Sequence, residues 1–201
     1  MDKKQLEIEL QKAPPHPAPK YELEQYLTPA ELASQILWIA FLKGDIEGKI
    51  VIDLGCGTGI FCKGVVLLGG DCICVDIDRD ALNVARNFVG KDAEYIQAEV
   101  NSFNLTRKID TVIENPPFGV VNRGIDLKFL LRAMEVANSV YSIHKSNEKT
   151  RELIMNMVKE YGYSVELISL NYRLKYYYRW HRKRIYEFPV DLYYLKKMSN
   201  S

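Results

Sequence analysis

Residues 50–59, Ile50-Val51-Ile52-Asp53-Leu54-Gly55-Cys56-Gly57-Thr58-Gly59, decide the fold. A short run dominated by β-branched and apolar residues enters a turn with glycine at every second position, and an apolar segment with helical spacing follows. Strand, glycine turn and helix in that order place a ligand at the carboxyl end of a strand, beside a helix N-terminus. Glycine is needed where a Cβ would block close approach, or where the backbone takes positive φ. The next apolar run ends at Asp76, 21 residues after Gly55. An acid about 20 residues past the first glycine suits hydrogen bonds to ribose hydroxyls. Asp53, directly before the turn, is unfavourable for a pyrophosphate and tolerable beside a cationic ligand. The spacing G-x-G-x-G also differs from the dinucleotide pattern.

Outward from this turn the chain alternates between β and α patterns. Strands are expected at Ile50–Leu54, Cys72–Asp76, Tyr95–Glu99, Thr111–Glu114, Val140–His144, Ser164–Asn171 and Arg184–Leu195. Helices are expected near residues 60–68, 79–89, 126–138 and 147–161. Asp78 and Asp80 read as helix-start residues. The early strands are almost wholly apolar, as in a parallel sheet covered on both faces. The last two have only a turn between them and read as an antiparallel hairpin. The expected architecture is α/β and Rossmann-like: a seven-stranded, mostly parallel sheet with a C-terminal antiparallel hairpin and helices on both faces. Upstream, Leu6 and Leu10 have helical spacing, and residues 30–43 read as a helix capped by Thr28, with Pro29 in its first turn. Residues 13–19 hold four prolines and read as an extended linker or a flexible lip over the site.

The fourth strand runs into Asn115-Pro116-Pro117-Phe118-Gly119. Two prolines cannot continue a ladder, so the chain leaves the sheet there. Asn115, before a proline, is held extended, and Pro116 is fixed in φ. The stiff turn can aim the Asn115 amide oxygen and the Pro116 carbonyl at one point, and two converging acceptors suit an NH₂ group. An aryl amine is a poor nucleophile because its lone pair is delocalised into the ring. Acceptors that favour a pyramidal nitrogen return that pair to reactivity. Phe118 would stack on the base, which must be unpaired or flipped out. The third strand ends in Ala98-Glu99-Val100, where Glu99 is placed to accept from an adenine amino group and the Val100 amide to donate.

The run from Asp53 to Gly59 resembles motif I of class I methyltransferases, which wraps S-adenosylmethionine. Asn-Pro-Pro-aromatic turns occur in such enzymes for adenine N6, cytosine N4, guanine N2 and release-factor glutamine. Beyond these motifs, residues 21–196 resemble the methyltransferase-like protein five family of ribosomal RNA adenine-N6 methyltransferases. The matching stretches are Leu23-Glu24-Gln25-Tyr26 with Thr28, Asp76-Ile77-Asp78, Tyr141-Ser142-Ile143-His144-Lys145 and Val190-Asp191-Leu192. Leu27 and Glu99 depart from the family's commoner proline and aspartate. The resemblance implies a single methyltransferase domain over residues 1–201, with 1–20 as an N-terminal extension. It implies S-adenosylmethionine as cofactor, held by Gln25, Tyr26, Thr28, Asp53, Gly55, Gly57, Gly59, Asp76, Glu99, Val100 and Asn115. Asn115, Pro116, Pro117 and Phe118 would be catalytic. An unpaired or flipped adenosine of small-subunit ribosomal RNA would be the substrate. Eukaryotic members also use a small zinc-binding activator subunit that pairs with a sheet edge. A glutamine methyltransferase of a release factor and a catalytically idle RNA-binding module are the alternative readings. The intact Asn115–Phe118 run argues against the second, since binding alone needs no converging acceptors.

Among 201 residues, 27 Lys/Arg face 26 Asp/Glu, so affinity for nucleic acid must come from local clustering. Residues 172–186 supply it, with six bases, six Tyr/Trp rings and no acid, leaving 21 bases against 26 acids elsewhere. Arg179, Trp180, Arg182, Lys183 and Arg184 are the expected RNA contacts, cations for phosphates and rings for unpaired bases. The competing reading is a hairpin whose rings pack on the sheet. Lys145, at a strand end, is within reach of the site. No stretch approaches the roughly 18 apolar residues of a membrane span, and the N-terminus lacks a signal-peptide core, so a cytoplasmic protein is expected. No metal site is expected: Cys56, Cys62, Cys72 and Cys74 read as ordinary buried thiols rather than paired zinc ligands.

Overall fold

A computed structural model describes residues 1–175 and 185–199. Strands β1 (Ile50–Leu54), β2 (Asp71–Asp76), β3 (Ala93–Gln97), β4 (Ile109–Glu114), β5 (Ala137–Lys145), β6 (Tyr163–Lys175) and β7 (Ile185–Lys197) form one sheet in the order β3-β2-β1-β4-β5-β7-β6. The first five run parallel, and β7 pairs antiparallel with both β5 and β6. Helices α1 (Lys3–Leu10), α2 (Ala30–Leu42), α3 (Ile60–Leu67), α4 (Arg79–Val89), α5 (Ile125–Val136) and α6 (Glu148–Glu160) complete the fold. β1 pairs with β2 on one side and β4 on the other, so the chain's crossovers diverge there and open a crevice at the strands' carboxyl ends.

The helices start and stop where local chemistry directs. Asp2 and Gln5 form a reciprocal capping box on α1, Asp78 accepts from the Asp80 amide at the start of α4, and Asn147 accepts from Thr150 on α6. Strand parity sorts the core into two layers. Val51, Ile113, Tyr141 and Ile143 face α1, α2 and α3, while Ile52, Val112 and Val140 face α5 and α6. The four cysteines lie in the first layer, with the sulfurs of Cys62, Cys72 and Cys74 within 4.8 Å of one another, and burial pushes the Cys62 and Cys72 thiols up. No helix among the described residues is long and apolar enough to cross a membrane.

Two expectations are corrected. Thr28 does not cap α2. The cap position is Pro29, which offers no side-chain bond, and the Thr28 hydroxyl is instead taken by Asn115. The third strand ends at Gln97 rather than Glu99, because its partner β2 ends at Asp76, opposite Gln97. The Ala98 amide still donates to the Asp76 carbonyl, and residues 99–102 leave the sheet in a turn closed by the Ser102 amide on the Glu99 carbonyl. The final hairpin is longer than expected, its register running from Tyr163 opposite Lys197 to Lys175 opposite Ile185.

Candidate active site

The crevice holds a pocket built from six segments at the carboxyl ends of the strands: the strap before α2 (residues 16–28), the glycine turn, the end of β2, the end of β3, the two-proline turn and the start of α5. Gln25, Tyr26, Thr28, Gly55, Gly57, Asp76, Glu99, Val100, Asn115, Pro116 and Pro117 all line it, as does His16, which the sequence reading left unassigned.

The glycine turn is shaped for close approach. At Gly57, with φ at +53°, a Cβ would stand 3.0 Å from His16 Nε2. Its amide donates to Asp76 Oδ2 at 2.7 Å, tying the turn to the end of β2. Gly59 serves packing instead: a Cβ there would meet Val89 and Ala85 of α4 at 2.9 and 3.0 Å. Gly59 is accordingly absent from the pocket lining, and so is Asp53. The Asp53 carboxylate is buried and accepts from the Cys62 amide at 3.0 Å, pinning the first turn of α3. Both residues support the turn from behind.

Asp76 lines the pocket at the end of β2. Its Oδ1 accepts from the Asp78 amide at 2.8 Å, and burial raises its pKa against the pull of these backbone donors. Asp78 anchors the strap. It accepts from Lys20 Nζ at 2.8 Å and from Gln25 Nε2 at 2.7 Å, while the Gln25 Oε1 accepts from the Lys20 amide. Burial works to raise the Asp78 pKa, but these donors outweigh it and hold the carboxyl below its ordinary range. The proline-rich segment is therefore a wall of the pocket, fixed further by the Thr58 hydroxyl on the Pro14 carbonyl at 2.7 Å. Gln25 acts through this wall. Glu24, in a left-handed conformation with φ at 49°, accepts from the Val121 amide at 2.8 Å and so ties the strap to the loop after the two-proline turn.

Asn115 carries the clearest chemical signature. Its Nδ2 donates to Thr28 Oγ1 and to the Tyr172 hydroxyl, both at 3.0 Å, which uses both amide protons. Its Oδ1 is buried and has no partner among the described residues. A buried acceptor left open costs about 1–3 kcal/mol unless a ligand satisfies it. Phe118 stands beside the pocket in a ring cluster, 6.2 Å from Tyr26 and 5.8 Å from both Tyr172 and Phe188. Lys145 brings Nζ to 5.8 Å from the Phe118 ring centre. Arg179, Trp180, Arg182, Lys183 and Arg184 lie outside the described residues.

Sequence reasoning missed Tyr172, Glu24 and His16. Tyr172 is separated from Asn115 by 57 residues and was absorbed in the aromatic-basic window. Its one local signal is parity, since it shares a strand face with buried Leu170.

The residues present fit S-adenosylmethionine: a cradle that a Cβ at Gly57 would fill, a carboxylate at the end of β2, and an open acceptor at the end of β4. The model of the methyltransferase small domain matches residues 30–143. The chain is 39% identical to the rRNA N(6)-adenosine-methyltransferase METTL5 of Danio rerio, over 95% of this chain and 97% of that protein. It is 33% identical to the Drosophila melanogaster rRNA N(6)-adenosine-methyltransferase Mettl5, over 94% of both chains. Among solved structures, PH1948 of Pyrococcus horikoshii superposes with a TM-score of 0.91 at 38% identity, over 99% of both chains. On these matches the chain belongs to the methyltransferase small domain family and, within it, to the family of the METTL5 methyltransferases.

Proposed function

We propose that this protein transfers the methyl group of S-adenosylmethionine to N6 of an unpaired or flipped adenosine in small-subunit ribosomal RNA. The observation that carries the reading is the Asn115 amide, whose nitrogen is committed to Thr28 and Tyr172 while its oxygen is open and buried. The names of the relatives from Danio rerio and Drosophila melanogaster support the choice of RNA and of N6.

When bound, S-adenosylmethionine supplies a sulfonium methyl already activated for attack by a nitrogen lone pair. The chain's residues then have three tasks. Asp76 and the glycine turn fix the ribose side, with Glu99 and the Val100 amide beside the adenine. Asn115 Oδ1 and the Pro116 carbonyl accept from the substrate NH₂ and draw its lone pair out of the ring. Phe118 supports the base by stacking, which is worth about 1–3 kcal/mol per base. Correct placement of the two reactants matters more than any of these bonds, since orientation can contribute roughly 7–11 kcal/mol.

We place the RNA on Lys145, whose Nζ lies by Phe118, and assign it further contacts with Arg179, Trp180, Arg182, Lys183 and Arg184 from their residue types alone, cations for phosphates and a ring for unpaired bases. A small activator subunit, as the family resemblance implies, would have the two sheet edges β3 and β6 to pair with. We place the reaction in the cytoplasm, where such subunits are the substrate.

The test is incubation with methyl-labelled S-adenosylmethionine and unmodified small ribosomal subunits, with and without such an activator, followed by nucleoside mass spectrometry. N6-methyladenosine at one position is the expected result. Label in a release-factor protein, and none in RNA, would move the acceptor to glutamine.

A further inference from the structure

Asn115 can work only in one of its two amide orientations. With Oδ1 towards the substrate it accepts from the amine. Turned over, it would present two N–H donors to a group that also donates. Nothing in the two-proline turn itself selects between these, because the backbone of Asn115 is the same in both. The choice is made by what faces the other edge of the amide.

That edge is met by two hydroxyls from distant parts of the chain. Thr28, in the strap before α2, lies 87 residues from Asn115, and Tyr172, on β6, lies 57 residues away. Each oxygen stands 3.0 Å from Nδ2. In the observed orientation both amide protons are used and a single acceptor stays open. In the other, two buried donors would be left open, at about 1–3 kcal/mol each. The hydroxyls could donate to Oδ1 in the turned-over amide, so the preference comes from the count of polar atoms left open: one acceptor in the observed orientation, two donors in the other.

Tyr172 is itself held in one place. It is fully buried, and its ring stacks on Phe188 of β7, directly opposite in the hairpin register, with centres 5.1 Å apart and planes 7° apart. Edge contacts to Tyr26 and Phe118 close its other sides. Burial pushes its phenol up to about 12, against the bonds from Asn115 and Thr28, so the hydroxyl stays neutral through the physiological range. A neutral phenol at a fixed position is a directional acceptor for an amide proton.

We propose that Tyr172 is a positioning residue for methyl transfer: its hydroxyl, together with that of Thr28, fixes the Asn115 amide so that Oδ1 is presented to the substrate amine. The C-terminal hairpin is thereby part of the catalytic machinery, acting through Asn115 without touching the reacting atoms. The inference rests on the assignment of Asn115 made above.

The experiment uses the full chain with the ribosomal-subunit assay and S-adenosylhomocysteine calorimetry. Tyr172→Phe keeps the ring stack and removes the hydroxyl. Its kcat should fall about tenfold, about 1.4 kcal/mol, with KM for RNA and affinity for S-adenosylhomocysteine unchanged and Tm lowered only by the cost of one open amide N–H. Thr28→Val, which reaches the same amide from another element, should also lower kcat, and the two together should lose about 100-fold. Against an Asn115→Ala background, Tyr172→Phe should cost nothing more, because the group it positions is gone. A wild-type kcat in Tyr172→Phe, a loss confined to KM or Tm, or losses that multiply with Asn115→Ala would each overturn the proposal. The underlying reading fails differently: Asn115→Ala would then turn over normally, or the wild-type chain would place no label in RNA.

Discussion

The two ends of β4 and β5 carry buried polar groups arranged to opposite purposes. Where these strands begin, Asp45 sits in a closed network. Its carboxylate accepts from Ser139 at 2.9 Å, Tyr141 at 2.7 Å and Lys196 at 2.9 Å, and its carbonyl accepts from Thr111 at 2.7 Å. Where they end, Glu114 and Asn115 each keep one buried oxygen without a partner among the described residues. Glu114 Oε1 accepts from Ser142, which contacts His144, which in turn faces Asp126 on α5. One end is satisfied by the fold alone; the other is held ready and incomplete. A satisfied buried network rigidifies, whereas an open acceptor is costly unless something arrives to fill it. The difference separates stability from chemistry along a single pair of strands.

Substitutions can break or sharpen that division. Asp45→Ala leaves the buried hydroxyls of Ser139 and Tyr141 without an acceptor, at about 1–3 kcal/mol each. Denaturant unfolding should register a loss of that size, while kcat below the melting transition stays at the wild-type value. Asp76→Ala should do the reverse, weakening S-adenosylhomocysteine by about 10–100-fold in calorimetry, as expected for a charge-assisted bond of about 1.5–3 kcal/mol. Phe118→Ala should raise KM for RNA about tenfold, within the range for one stacked base, and leave cofactor binding intact.

A pH effect concerns Glu114, whose carboxyl burial raises to about 8 from 4.5. The folded state therefore holds a proton that the unfolded chain releases between those two values. Its contribution to stability is complete below the lower pKa and is lost as pH rises through the upper one. Tm should decline on the alkaline side, and Glu114→Gln, which cannot ionise, should flatten that decline. An equal alkaline slope in wild type and variant would assign the pH dependence to another group.

What could be read from the sequence follows the range of the interactions. The glycine turn, the Asp-terminated second strand and the two-proline turn are each contiguous, so their order alone gave the sheet and the pocket's position. Strand ends failed where they depended on a neighbour: β3 stops because β2 stops. Thr28 has a residue type suited to capping, yet its hydroxyl is claimed by a side chain 87 residues away. Asp53 and Gly59 lie within the recognised motif and also support the turn from behind, a role that residue type cannot reveal. Asp45 has no motif at all, since its partners come from β4, β5 and β7.

The central claim is that the open oxygen of Asn115 drives the chemistry while the fold does not depend on it. The direct test is the single-turnover rate of Asn115→Ala at saturating RNA and S-adenosylmethionine, with Tm and S-adenosylhomocysteine affinity measured on the same preparation. The rate should fall at least about 100-fold, comparable to the loss of one preorganised transition-state bond, with Tm and affinity unchanged. A wild-type rate would contradict it, and so would a slow variant whose loss is explained by a matching drop in Tm.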